Sequence, residues 1–326
     1  MQRPATSLRA FSPLVPPLSP TRISAHRGPA AGAIPVGVSS IPPCLPSQPP
    51  PRAGTVESWA LDFILAVDLE AKLAPPEPPS TQTDASWSDD GIERRLAAPG
   101  RPACLRLVAR GERTKGATAL RRPLERARLL HTFAHHELQA AELFAWAILA
   151  FPRAPRAFRA GLLRLCLEEL SHLRLYAQHM QTLGLAYGDL PVRDWFWSRV
   201  AACPDALSFV ALQGLGLEGA NLEHSARFAG LFRAAGDEAG ARALELVERD
   251  EIGHVAFARY WFERFSGANL DFQRWESALP PPLTPALFRG TPLNRAARAQ
   301  AGMDQRFLDA LDATAPALAA SPRRGR

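Results

Sequence analysis

After Pro123 the chain runs to Phe151 without glycine or a further proline, and its apolar residues recur at steps of three and four: Leu130, Phe133, Ala134, Ala140, Ala141, Phe144 and Ile148. That spacing lays a wide apolar stripe on one face and predicts an amphipathic helix of about 28 residues, stopped by Pro152. A second such stretch covers about 155 to 183 and stops at Gly184, with Leu162, Leu165, Cys166, Leu173, Tyr176 and Met180 on its stripe. A third spans about 205 to 235 and a fourth about 237 to 265. No period-two pattern lies between them, so the expected class is all-α. Helices one and two, and three and four, are separated by a few residues and must form antiparallel pairs. The link from Leu185 to Pro204 is long enough to cross the length of a bundle. A four-helix bundle with one long crossover is the expected architecture.

The flanks differ in texture. Residues 1–56 hold 13 prolines and five arginines with no acid, and residues 321–326 add three arginines. Removing those eight from 38 basic residues leaves 30 against 32 acids over 57–320, a net of −2, so the basic balance belongs to the tails. Residues 1–56 bury too little apolar surface to offset chain entropy and read as disordered, either a transit segment or a start codon assigned too early. Residues 57–120 are expected to form an N-terminal extension, with a short amphipathic helix from Ser58 to Leu73 ended by Pro75 and Pro76, then loop. The bundle occupies 121–266, short helices wrap it over 267–315, and 316–326 form a disordered basic tail. Within 101–128, nine Lys/Arg face Glu112 and Glu125, which reads as a solvated loop or as a contact for phosphate or RNA. The four cysteines (Cys44, Cys104, Cys166, Cys203) lack metal-ligand spacing, which fits a reducing, cytoplasmic setting. No apolar run approaches the roughly 18 to 20 residues that span a bilayer.

Each long helix carries a polar residue on its apolar stripe, where a charge needs a partner or a metal. Helix one has Glu137, helix two Glu169 and His172, helix three Glu218, and helix four Glu251 and His254. Both histidines thus stand in Glu-x-x-His pairs. Positions i and i+3 lie about 5 to 6 Å apart on one helix face, so both side chains reach one ion. Carboxylate and imidazole suit iron or manganese. Two such pairs plus two single Glu match a two-metal carboxylate site inside a bundle, with Glu169 and Glu251 bridging, His172 and Glu137 completing one ion, and His254 and Glu218 the other. Without metal the four carboxylates would repel one another in an apolar core. Glu137 and Glu169 are 32 residues apart and Glu218 and Glu251 33, as matched heights in two hairpins require. Glu142 and Glu223 each fall five residues after the single ligand, a turn of about 500° that takes them off the metal face.

Other residues near the stripe have plainer readings. His135 and His136 are off-face, and His131 precedes them. His224 and Glu223 are expected at the surface or supporting the ligands. His179, seven after His172, either supports a ligand or is a satisfied core histidine. Tyr176, four after His172, is a packed core tyrosine or a redox-active neighbour of the metals. Gly214, Gly216 and Gly219 flank Glu218 in mid-helix, where each costs about 1 kcal/mol relative to Ala; they predict a local widening or a close helix approach. Trp195-Phe196-Trp197 in the crossover caps the bundle or forms a lid over a pocket.

These helices resemble the ferritin-like di-iron carboxylate superfamily, which includes ferritin, rubrerythrin, bacterial multicomponent monooxygenases and a tRNA-modifying hydroxylase. The stretches His136–Trp146, Tyr187–Trp197 and Gly216–Leu222 resemble, more narrowly, an uncharacterised bacterial ferritin-like family, over about residues 57 to 315. The resemblance implies two Fe ions, with two Mn or a mixed Mn/Fe pair as alternatives. It implies an oxygen-dependent oxidase or hydroxylase, with iron handling, peroxide scavenging or a metal-stabilised structural role as alternatives. The tails fit a storage shell poorly, and a Cys-rich electron-transfer module is missing. Expected partners are dioxygen or peroxide, a small organic or RNA substrate, an external reductase and a second copy of the chain, with no membrane.

Overall fold

The computed structural model describes residues 48–110 and 116–314. The remainder of the predicted tails and the centre of the basic 101–128 stretch lie outside the described residues. All regular structure among the described residues is helical apart from one isolated bridge between Leu107 and Val192. None of these helices is long and apolar enough to cross a membrane.

The N-terminal extension starts earlier than residue 57. Arg94 Nε donates to the Pro49 carbonyl at 2.8 Å, Arg52 donates to the Trp87 carbonyl at 2.7 Å, and Thr55 caps α1 (Val56–Leu65) by accepting from the Ser58 amide at 3.2 Å. The single helix expected over 58–73 is two. Asp68 accepts from the Ala71 amide at 3.0 Å and starts α2 (Leu69–Leu73) afresh, because a short acidic side chain satisfies a helix start better than it continues a helix.

The two hairpins follow. Helix α3 (Pro123–Ala150) opens on a proline, whose missing N–H is no loss in the first turn, and α4 (Arg156–Thr182) runs back along it. The crossover contains a short α5 (Trp197–Val200), and its Val192 exchanges backbone hydrogen bonds of 2.9 Å with Arg106 and Val108 of the extension. The third long helix is not uniform. It starts as α6 (Ala206–Phe209), capped by Asp205, widens into a π-helical segment (Val210–Glu218), and continues as α7 (Gly219–Ala234). Both readings of its glycines are found together. A Cβ on Gly214 would sit 2.2 Å from the Ala258 Cβ of α8 (Glu238–Ser266), so the wide turn is also a place of close helix approach. Helix α8 is capped by Asp237 and ends at Gly267, whose φ of +70 terminates a helix at little cost. The C-terminal segment adds α9 (Phe272–Ala278), α10 (Arg295–Gln300) and α11 (Gln305–Ala313), whose Trp275 and Phe307 rings lie 5.4 Å apart between centroids.

Two buried glutamates help tie the extensions down. Glu142 of α3 is fully buried and accepts from Lys72 at 2.7 Å and from Arg101 at 2.6 and 2.7 Å. Burial pushes Lys72 down to about 8, with Glu142 pulling the other way. Glu223 of α7 is not a surface residue: it accepts twice from Arg298 of α10 at 2.8 Å and from the amides of Gly290 and Asn294. The basic stretch is likewise partly internal, since Arg126 pairs with Asp237 at 2.8 Å and Arg101 with Glu142.

Removing one partner of such a pair strands a buried charge. Glu142→Ala is therefore expected to lower stability by about 3 to 5 kcal/mol in urea unfolding. A loss below about 1 kcal/mol would show that the pairing does not hold the extension.

Candidate metal centre

Glu137 comes from the middle of α3, Glu169 and His172 from α4, Glu218 from the last position of the π segment, and Glu251 and His254 from α8. All six are at most 4% exposed. They converge as two overlapping groups, Glu137, Glu169, His172 and Glu251 in one and Glu169, Glu218, Glu251 and His254 in the other. Within each group the ligand atoms lie within 4.8 Å of one another, close enough to hold an ion. Glu169 and Glu251 belong to both.

The fit to a metal shows in atoms that lack any other partner. His254 Nδ1 is 2.8 Å from Glu169 Oε1 and 3.0 Å from Glu251 Oε2, yet all three are buried without hydrogen-bond alignment. Side chains aimed at a common point, not at each other, leave that pattern. Oxygen and imidazole nitrogen are the donor set of iron and manganese.

Electrostatics point the same way. Burial, and then the charge of Glu169, pushes the Glu137 carboxyl well above the usual carboxylate range. Burial and Glu251 do the same to Glu218. Glu169 is held below that range, because His254 and His172 outweigh the effect of its burial. Burial alone would lower both imidazoles, but the hydrogen bond to Asp250 and the pairing with Glu169 lift His172 to about 9, and Glu251 and Glu169 lift His254. Packed together without a metal, these groups would favour keeping protons that a metal would displace.

A supporting layer escaped the sequence reading. His254 Nε2 is 2.9 Å from Glu168 Oε2, and His172 Nε2 is 3.4 Å from Asp250 Oδ2. Each ligand helix thus sends the acid preceding its own ligand Glu to the other helix's histidine, which fixes each ring with Nδ1 facing the cluster. The signal was present as an acid immediately before each Glu-x-x-His, but only the folded pairing gives it meaning. Gln213 Nε2 donates to Glu218 Oε1, and Asn221 Nδ2 donates to Glu251 Oε1 at 2.9 Å.

The remaining histidines serve elsewhere. His179 does not reach the cluster and instead lies 3.0 Å from Asp237 at the start of α8. His131 accepts from the Gly188 amide at 3.1 Å, and His135 bridges Tyr187 and Asp194, tying the crossover to α3. Tyr176 is buried near Ser225, whose hydroxyl donates to Asn221 at 3.1 Å, and Asn221 in turn donates to Glu251. Burial and the charge of Glu137 push the Tyr176 phenol well above its ordinary value.

A cavity of about 200 Å³ lies against Glu137 and Glu218, walled by Phe133, Trp195, Phe196 and Phe288 among others. The aromatic run in the crossover therefore divides its work. Trp197 is buried and donates to the Ala97 carbonyl at 3.1 Å, whereas Trp195 and Phe196 cover the cavity. His136 also lines it, stacked on Phe196 at 4.6 Å between centroids, and burial keeps its pKa down at about 3.

Glu168→Ala and Asp250→Ala are each expected to weaken metal binding about 10- to 100-fold in chelator competition, with unchanged helix content. Unaltered affinity in both variants would mean that the outer carboxylates do not orient the imidazoles.

Comparison with known proteins agrees with an unassigned activity. The chain is 31% identical over 192 residues to an uncharacterised protein of Haemophilus influenzae, an alignment covering 56% of this chain and 66% of that protein. The chain thus spans a little under two thirds of that relative's length. No solved structure matches it. A family model described as "Protein of unknown function (DUF455)" matches residues 66–309, most of the sequence and all six cluster residues. The chain belongs to that family.

Proposed function

We propose that the chain is a ferritin-like four-helix bundle that holds two metal ions, iron first and manganese as the alternative, and oxidises a small organic molecule with dioxygen. The observation that carries this reading is the pair of overlapping groups sharing Glu169 and Glu251, since one mononuclear site would need only one of them. His172 and Glu137 would complete one ion, and His254 and Glu218 the other. Such ions, when bound, supply the electrons that reduce dioxygen.

The chain's own part is positional. Asp250 and Glu168 hold the imidazoles in one tautomer, while Gln213 and Asn221 donate to the carboxylates of Glu218 and Glu251. Glu137 and Glu218 belong to one group each and border the cavity, so an organic substrate would meet the centre on that side. Trp195 and Phe196 cover the cavity and limit entry of water. An organic substrate is favoured over iron as the substrate because this cavity abuts the cluster and is walled mostly by aromatic and aliphatic side chains.

Elemental analysis of protein expressed with iron is expected to give close to two ions per chain. Glu169→Ala and Glu251→Ala should each drop that content below one, because each removes a ligand from both groups, whereas Glu137→Ala should spare the group built on His254. A wild-type content of one or fewer after full loading contradicts the two-ion reading. Ferrous protein prepared without oxygen should consume dioxygen on mixing, as followed with an electrode, and no uptake would leave a structural role.

The protonation state sets the pH dependence. Glu137 and Glu218 hold protons above the usual carboxylate range, and His172 holds one up to about 9. A metal must displace those protons, so its apparent affinity should rise with pH up to about 9 and fall in acid. Calorimetry in buffers of different ionisation enthalpy should register proton release on loading; release of none would contradict this account.

A further inference from the structure

We infer that the cavity beside Glu137 and Glu218 is the substrate site, and that it takes an uncharged molecule of one or two rings with at least one hydrogen-bonding group. This rests on the oxidase reading above but commits to a chemical class that the reading leaves open.

Size comes first. An apolar cavity of about 150 Å³ holds one benzene ring, so the about 200 Å³ present here has room for a ring with substituents or a small fused pair. Shape and chemistry follow from the walls. Phe133, Phe196 and Phe288 offer ring faces and edges that favour another flat apolar surface, and Ala140 and Ala220 keep the floor shallow. Three uncharged-type polar groups interrupt this surface: His136, Asn221 and His224. They suit a hydroxyl or carbonyl on the ligand.

Charge excludes the rest. Among the described residues that line the cavity there is no lysine or arginine, and two of its walls are the carboxyl groups of Glu137 and Glu218. With the four cluster carboxylates matched against two divalent ions, an anionic ligand would give up its hydration in a cavity that offers no side-chain cation to pair with it, at a large desolvation cost. This argues against phosphate-bearing substrates, RNA included. Of the basic residues of 101–128, none lines the cavity among the described residues, and Arg101 and Arg126 are spent in internal ion pairs. The mouth is marked by Leu287, 43% exposed, and by the exposed His224. Leu287 and Phe288 belong to the C-terminal segment, so that segment builds a wall of the site as well as wrapping the helices.

The test is calorimetric titration of metal-loaded full-length protein with p-cresol, its anionic counterpart 4-hydroxybenzoate, and uridine monophosphate, with metal content measured on the same samples. The expected result is binding of p-cresol at least tenfold tighter than either anion. Ala220→Leu, which fills the floor, should weaken p-cresol at least tenfold while leaving metal content at the wild-type level. Phe196→Ala, on the opposite wall, provides a second variant in case Ala220→Leu fails to fold, and should weaken the ring by a similar factor. Equal or tighter binding of either anion, or p-cresol binding indifferent to the cavity variants, overturns the inference. Metal loading with no p-cresol binding overturns it while the two-ion reading stands. Cavity-dependent p-cresol binding by protein that takes up no metal supports the site and sinks the oxidase reading instead.

Discussion

Four carboxylates and two imidazoles gathered at one point of a largely apolar interior set the terms for everything around them. A single ionised carboxylate in such surroundings costs several kcal/mol, and neighbouring ones add repulsion. The chain answers in two ways: burial favours the neutral form of Glu137 and Glu218, and the imidazoles of His172 and His254 stand against Glu169. Neither answer works unless four helices present their polar residues at one height and one rotation. The short turns between α3 and α4 and between α7 and α8 secure the height. From outside, Glu142 with Lys72 and Arg101 fastens one half to its flanking segment, and Glu223 with Arg298 fastens the other.

That arrangement explains why the extensions belong with the helices. Each half places a second glutamate five residues beyond its unshared cluster Glu, on a different face, where it receives cations from a flanking segment. The N-terminal extension serves the first hairpin and the C-terminal segment the second. Two similar hairpins, each clasped by its own flank, describe the molecule more economically than a core with appendages.

The helices and the six cluster residues could be read from the chain because both signals are local and periodic: a 3.6-residue stripe, and polar residues that interrupt it at i and i+3. What stayed hidden depends on contacts between distant segments. The pairing of Glu168 with His254 and of Asp250 with His172 crosses between α4 and α8, and sequence adjacency to a ligand says nothing about that. The cavity draws Phe133, Trp195 and Phe288 from three separate parts of the chain. Of the two readings open for His179, geometry selects the satisfied one: seven residues return a side chain to nearly the same face but carry it about 10.5 Å along the axis, here to the cap of α8. Glu223 misled because a charged residue off the inner stripe is usually solvated, and only Arg298, 75 positions away, makes it internal.

The π-helical segment from Val210 to Glu218 leaves a mark on how such a chain can change over time. An α-helix of the same span would need one residue fewer and would be better hydrogen-bonded. Deleting a residue there would therefore tend to raise local helical stability, yet it would swing the positions on one side of the deletion by about 100° relative to the other. Glu218, at the segment's end, would then turn away from the cluster, or Phe209 and the aromatic packing before it would lose their register. Selection for robustness and selection for the site pull in opposite directions at this one turn, so single-residue length changes that loops absorb freely have nowhere to go here.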